Sequence, residues 1–251
     1  MVNSKRIRIL DIPLDMVNGC EAMTIFEELM KNDLTSLVVT PNSEIIMNAA
    51  KDLELKKIIE SAALILPDGI GVVYASKIMG IPLNERVTGI DFLEDILEYL
   101  ERTGQSIFFL GSKPGDEDHI SIAEQAARNM ILKYPRLKIA GTYHGYFQKS
   151  DESNIIEIIN NSKADFLCVA LGSPKQEKFM YHHLNELKAK AAIGVGGSLD
   201  VWAGNLKRAP GFFRNHGLEW LYRLVQQPSR YNRMAVLPLF MCKVIISRFR
   251  Q

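Results

Sequence analysis

Short apolar runs recur along this chain at 7–12, 36–40, 63–66, 106–110, 137–141, 166–171 and 191–195, and longer amphipathic stretches separate them. That alternation is the strongest constraint on the fold. Most of the runs are near-continuous in Val, Ile, Leu and Phe, the composition of strands covered on both faces. The stretches between them, notably 89–103, 116–133, 151–161 and 175–187, open on acidic or small polar residues and carry Lys or Arg at or just past their ends, as the helix dipole favours. Strands alternating with helices predict an α/β protein: a mostly parallel, Rossmann-like sheet flanked by helices. The 251 residues, 47% of them hydrophobic, leave room for one large domain and an appendage.

Charge marks where the appendage begins. The whole chain is +1, but residues 1–206 carry −7 and the last 45 residues carry +8, with Glu219 the lone acid among nine cations. The composition breaks near 204–210, after the last apolar run, so the expected division is an α/β body over 1–205 and a helical, basic, amphipathic appendage over 206–251. The appendage also holds the apolar run 234–242. Cations interleaved with apolar side chains suit a surface that is anionic above and apolar below, such as the inner leaflet of a membrane. Phe240 and Ile245 are the expected inserting residues. The same pattern also fits a C-terminal helical hairpin whose cations are simply solvated. No run reaches the roughly 18–20 apolar residues of a spanning helix. Asp11, Pro13 and Asp15 interrupt the N-terminal segment, so no signal peptide is predicted. Cys20, Cys168 and Cys242 have no metal-ligand spacing and read as reduced thiols. The expected location is cytoplasmic, peripheral to the inner face of the plasma membrane.

In open α/β sheets, ligands bind beyond the carboxyl ends of the strands. Four runs lead there into polar or glycine-rich segments: Thr40-Pro41-Asn42-Ser43-Glu44, Pro67-Asp68-Gly69-Ile70-Gly71, Gly172-Ser173-Pro174-Lys175-Gln176-Glu177 and Gly194-Val195-Gly196-Gly197-Ser198-Leu199-Asp200. Each alone is ordinary turn and cap chemistry. Together they predict a binding site on one sheet edge, where Gly196 and Gly197 would let backbone N–H groups approach a phosphate. The last segment lacks the third glycine of a dinucleotide fingerprint and follows the wrong strand, and no phosphate loop or nucleophile elbow occurs. The five histidines show no zinc spacing. Asp116-Glu117-Asp118 could hold a metal, but it reads as the acidic start of a helix. No metal or other cofactor is expected.

With Glu85-Arg86-Val87-Thr88-Gly89, Lys207-Arg208-Ala209-Pro210 and Gly217-Leu218-Glu219-Trp220-Leu221-Tyr222-Arg223-Leu224 added, these segments resemble the WecG/TagA/CpsF glycosyltransferases from about residue 7 onwards, and most closely the N-acetylmannosaminyltransferase branch serving wall teichoic acid synthesis. The resemblance implies an inverting, metal-independent transfer of N-acetylmannosamine from a UDP donor to the 4-hydroxyl of N-acetylglucosamine on undecaprenyl diphosphate. It makes Asp68 the general base, with Thr40 and Asn42 orienting the sugars. Arg86 and Gln176 would contact the donor, Asp200 would lie near the nucleoside, and Arg223, Arg230 and Arg233 would close over the diphosphate. Arg230 and Arg233 are i,i+3 neighbours, and Pro228 separates them from Arg223. The implied partners are a UDP-sugar, a polyprenyl-diphosphate acceptor and an anionic membrane, with no nucleic acid; homo-oligomerisation stays open. A donor carrying a uronic acid or a plain hexose, or a membrane-docked nucleotide-sugar-binding subunit without turnover, are the other readings.

Overall fold

The computed structural model describes residues 4–83, 86–228, 231 and 235–249. Six strands form one wholly parallel sheet in the order β4-β3-β8-β7-β5-β6. They are β3 (Ser36–Val39), β4 (Leu64–Ile65), β5 (Ser106–Gly111), β6 (Lys138–Tyr143), β7 (Phe166–Ala170) and β8 (Ala191–Gly194). The four strands that lead into the polar segments, β4, β3, β8 and β7, are consecutive neighbours.

Successive strand residues point to opposite faces, and each face has its own core. Leu37, Val39, Phe108, Leu110, Leu167 and Val169 join one cluster, while Val38, Ile107, Phe109, Phe166 and Cys168 join the other. The first cluster is covered by α2 (Ser43–Ala49), α3 (Leu53–Ser61), α4 (Ile70–Ile78), α7 (Glu152–Asn161) and α8 (Lys175–His182). The second is covered by α1 (Gly19–Leu29), α5 (Gly89–Thr103), α6 (Ile122–Lys133) and α9 (Ser198–Trp202). Helices on both faces explain why these strands read as continuous apolar runs.

Three expectations change. The run 7–12 is not one sheet strand. Leu10 and Asp11 both adopt left-handed backbone, with φ of 49° and 64°, and fold the chain into an antiparallel hairpin of β1 (Arg6–Ile9) and β2 (Ile12–Asp15). Two positive-φ residues make the tight turn whose twist matches a hairpin, but Leu-Asp lacks the Asn-Gly or Asp-Gly signature. The hairpin docks beside the sheet through buried Asp15, which accepts the Ile65 N–H at 2.7 Å and the Arg6 Nε–H at 2.8 Å.

Asp116, Glu117 and Asp118 precede α6 rather than open it. The Asp116 carboxylate accepts the N–H groups of Asp118 and His119 at 3.0 and 2.9 Å and bonds the His119 ring at 2.9 Å. An aspartate that bonds its own following backbone favours a turn over a helix. The helix begins where Ser121 caps it by accepting from the Glu124 N–H. Similarly, the stretch 175–187 leaves the α-helix after His182.

The third change lies in the appendage. Here α10 (Gly211–Asn215) and α11 (Glu219–Gln226) lead to a final helix, α12 (Val236–Arg248), packed against α2 and α4. Phe240 and Val244 are fully buried in the first core cluster, so Phe240 is a core residue and does not insert into a bilayer. Full burial of a side chain of this size contributes about 1.5–3 kcal/mol. The seam is tight: a Cβ on Gly71 of α4 would stand 2.6 Å from Leu237 Cδ1. Ile245, by contrast, is 41% exposed.

Candidate active site

A cavity of about 200 Å³ opens at the carboxyl ends of β3, β4 and β8. Its floor carries Thr40, Asn42 and Asp68, and the β8–α9 turn contributes Gly194, Val195, Gly197 and Ser198. Arg86, Thr88 and Gly89 form a second wall. The appendage closes the remainder with Gly217, Glu219, Trp220, Arg223 and Leu237. Body and appendage therefore share one site.

Local chemistry sets the floor. Asn42 lines the cavity and also caps α2, its Oδ1 accepting the Ile45 N–H at 3.0 Å. Such caps stabilise a helix by about 1 kcal/mol, which holds the Asn42 side chain in one orientation. The Thr40 hydroxyl lies 3.5 Å from the Gly194 carbonyl, to which it donates. Asp68 accepts the Gly89 N–H at 3.4 Å, at the amino end of α5. Burial pushes the Asp68 carboxyl above the ordinary aspartate range; Arg223 and Arg86 oppose the shift, and Glu219 adds to it.

The two guanidiniums are engaged elsewhere. Arg86 donates to Glu219 Oε2 at 2.7 Å, and Arg223 donates to Glu219 Oε1 at 3.0 Å. The Arg86 Nε–H is buried with no hydrogen-bond partner among the described residues, so this side chain keeps a donor in reserve.

Of the sequence-derived candidates, the cavity brings together Thr40, Asn42, Asp68, Arg86, Gly197 and Arg223. Gln176, Gly196 and Asp200 lie outside its lining. Gln176 is buried; it accepts the Gly196 N–H at 3.1 Å and donates to Glu177 Oε1 at 2.9 Å. It also packs so tightly under β8 that a Cβ at Gly194 would meet its Nε2 at 2.5 Å. Gln176 thus supports the glycine turn from behind. Beside it, burial raises the Glu177 carboxyl while the Gln176 amide works against that rise. Asp200, on α9, accepts from the Ser112 hydroxyl at 3.1 Å. Arg230 and Arg233 lie outside the described residues.

Sequence reading missed Glu219 as a residue of this cavity. The signal for Glu219 was its isolation among nine cations. Among the described residues, no group of three His, Cys, Asp or Glu side chains could hold a metal ion, and no helix is long and apolar enough to cross a membrane.

The model of the glycosyl transferase WecG/TagA/CpsF family matches residues 7–251. The chain belongs to that family. An N-acetylglucosaminyldiphosphoundecaprenol N-acetyl-beta-D-mannosaminyltransferase of Bacillus spizizenii is 38% identical over 210 residues, covering 84% of this chain and 79% of the relative. A Staphylococcus aureus protein of the same name is 32% identical over 244 residues, 96% of this chain and 93% of the relative. At the sheet edge of this WecG/TagA/CpsF glycosyltransferase, the cavity is lined by the Asp68 carboxylate and by Arg86 and Arg223.

Proposed function

We propose that this glycosyltransferase moves N-acetylmannosamine from a UDP donor to the 4-hydroxyl of N-acetylglucosamine on undecaprenyl diphosphate, in the synthesis of a teichoic acid linkage unit. The observation that carries the reading is a cavity whose lining sets Asp68 beside Arg86 and Arg223. The names of the two relatives supply the sugars and the lipid.

In this reading the acceptor O4 attacks the donor's anomeric carbon. The new C1–O4 bond forms as the bond from C1 to the diphosphate oxygen breaks, and its electron pair leaves with UDP. Asp68 accepts the O4 proton, because a sugar hydroxyl is a poor nucleophile until that proton is taken. One displacement inverts the anomeric centre. Arg86 and Arg223, joined by Arg230 and Arg233, neutralise the charge growing on the diphosphate, a task suited to planar guanidiniums. Thr40 and Asn42 orient the sugars, the turn held by Gln176 offers backbone N–H groups to phosphate, and Asp200 serves the nucleoside end.

The segment 206–251 is read as the appendage that completes this site and docks on the inner face of the membrane. Opposite Phe240 and Val244, α12 exposes Leu239, Ile246 and, just beyond its end, Phe249, beside Lys243 and Arg248. Apolar side chains flanked by cations suit an anionic leaflet. A uronic-acid donor would want a further cation at the sugar; Lys175 instead lies 4.5 Å over the Phe147 ring, which favours the uncharged donor. The test is release of UDP from purified protein given a short-chain lipid acceptor and a panel of UDP-sugars. Turnover with UDP-N-acetylmannosamine above all others is expected. Preference for another sugar, or no turnover with any, overturns the reading.

A further inference from the structure

Arg86 and Arg223 both lie near enough to Asp68 to favour its ionised form, yet among the described residues neither makes an ion pair with it. Each is bonded to Glu219, one to each oxygen of a single carboxylate. Resting on the reading of Asp68 as base, we infer that Glu219 is a positioning residue, which holds the two guanidiniums as a preset pair and keeps them off the base.

The argument is one of competing carboxylates. An aspartate beside two unengaged guanidiniums would be drawn into a bidentate pair, because charge-assisted bonds of that geometry are strong. A base tied up in this way is weaker, and its lone pairs are occupied. Glu219 is placed to take that role from Asp68. It is the only acid in the last 45 residues, is buried, and reaches from α11 to Arg86, 133 positions earlier. The charged groups lining the cavity around Asp68 are Glu44 from α2, Arg86 ahead of α5, and Glu219 and Arg223 from α11; the described lining from the β8–α9 turn and α12 is uncharged. Among the described residues, only Glu219 bridges the two cations.

Glu219→Gln keeps the shape of the side chain and removes its charge. The acid limb of kcat/KM should then move down by about 1–3 pH units as a guanidinium turns to Asp68, with the plateau kcat falling on the order of tenfold as the base weakens. Glu219→Asp, which keeps the charge, should lie between the variant and the native enzyme. Carbon-13 NMR of the Asp68 carboxyl reads the same titration without turnover, so an inactive variant still decides the question; should Glu219→Gln not fold, Glu219→Asp is read in its place. A loss of kcat with the acid limb and the Asp68 titration unmoved overturns the inference and leaves Glu219 as a mechanical tie for α11. Asp68→Asn, run in parallel, separates this from the underlying reading: near-native turnover there removes Asp68 as the base, whatever Glu219 does to its titration.

Discussion

The body and the appendage of this protein are held by different means. In residues 1–205, strands and helices bury opposite faces into two continuous clusters, and nearly every element owes its place to many apolar contacts. Among the described residues of the appendage, α12 alone sends fully buried side chains into the core. The preceding α11 buries only Glu219 and is fastened by polar ties: Glu219 to Arg86, and the Gln226 amide to the Lys207 backbone at 3.1 and 2.9 Å. Apolar packing is non-directional and cumulative, whereas an ion pair or an amide pair fails when one group is changed. A wall fastened by a few directional bonds suits the side of a site that, in the proposed function, receives a bulky lipid-linked acceptor.

The largest effect should come from the body. Asp68→Asn is expected to leave folding and UDP binding near native while turnover falls about 10²–10⁴-fold. Circular dichroism, UDP titration and UDP-release rates check it, and near-native turnover would count against the base. Next comes the division within α12. Phe240→Ala should destabilise the protein by about 3–5 kcal/mol, as large-to-small core changes do, and should lower the midpoint of denaturant unfolding. Leu239→Ser with Ile246→Ser should leave that midpoint near native and weaken binding to anionic vesicles, the more so as salt rises. If the two readouts exchange places, the faces of α12 have been misassigned. It follows that truncation after Gly204 uncovers α2 and α4, and the remaining body should be less stable than the whole chain.

A smaller effect concerns pH. Burial raises the Asp68 carboxyl, and a base works only when ionised, so kcat/KM should fall as pH drops through a value above the ordinary aspartate pKa of about 3.9. An acid limb at or below that value would mean that the arginines outweigh burial. The smallest expected effect is none: EDTA should leave turnover unchanged, since guanidiniums supply the positive charge in the proposed chemistry. A strict, reversible metal requirement in the UDP-release assay would refute that.

Much of the body was legible because its signals are local. Apolar runs marked all six strands of the main sheet to within a few residues. The polar segments after β3, β4 and β8 led to the cavity floor. The hairpin was not legible, because Leu10-Asp11 adopts a turn that its residue types do not announce. Nor was the fate of Asp116, whose bond to its own following backbone displaced the helix start.

What the sequence by itself determined, then, is the layered α/β body and the edge of the sheet where chemistry gathers, because strand and helix periods and caps are written in neighbouring residues. Only the tertiary structure decided which face of α12 is core, since a helix apolar on nearly every side carries no period to read. It alone decided, too, that the isolated acid of the basic appendage bridges a body arginine and a tail arginine. An ion pair across 133 positions depends on how distant segments dock, and no local pattern records it.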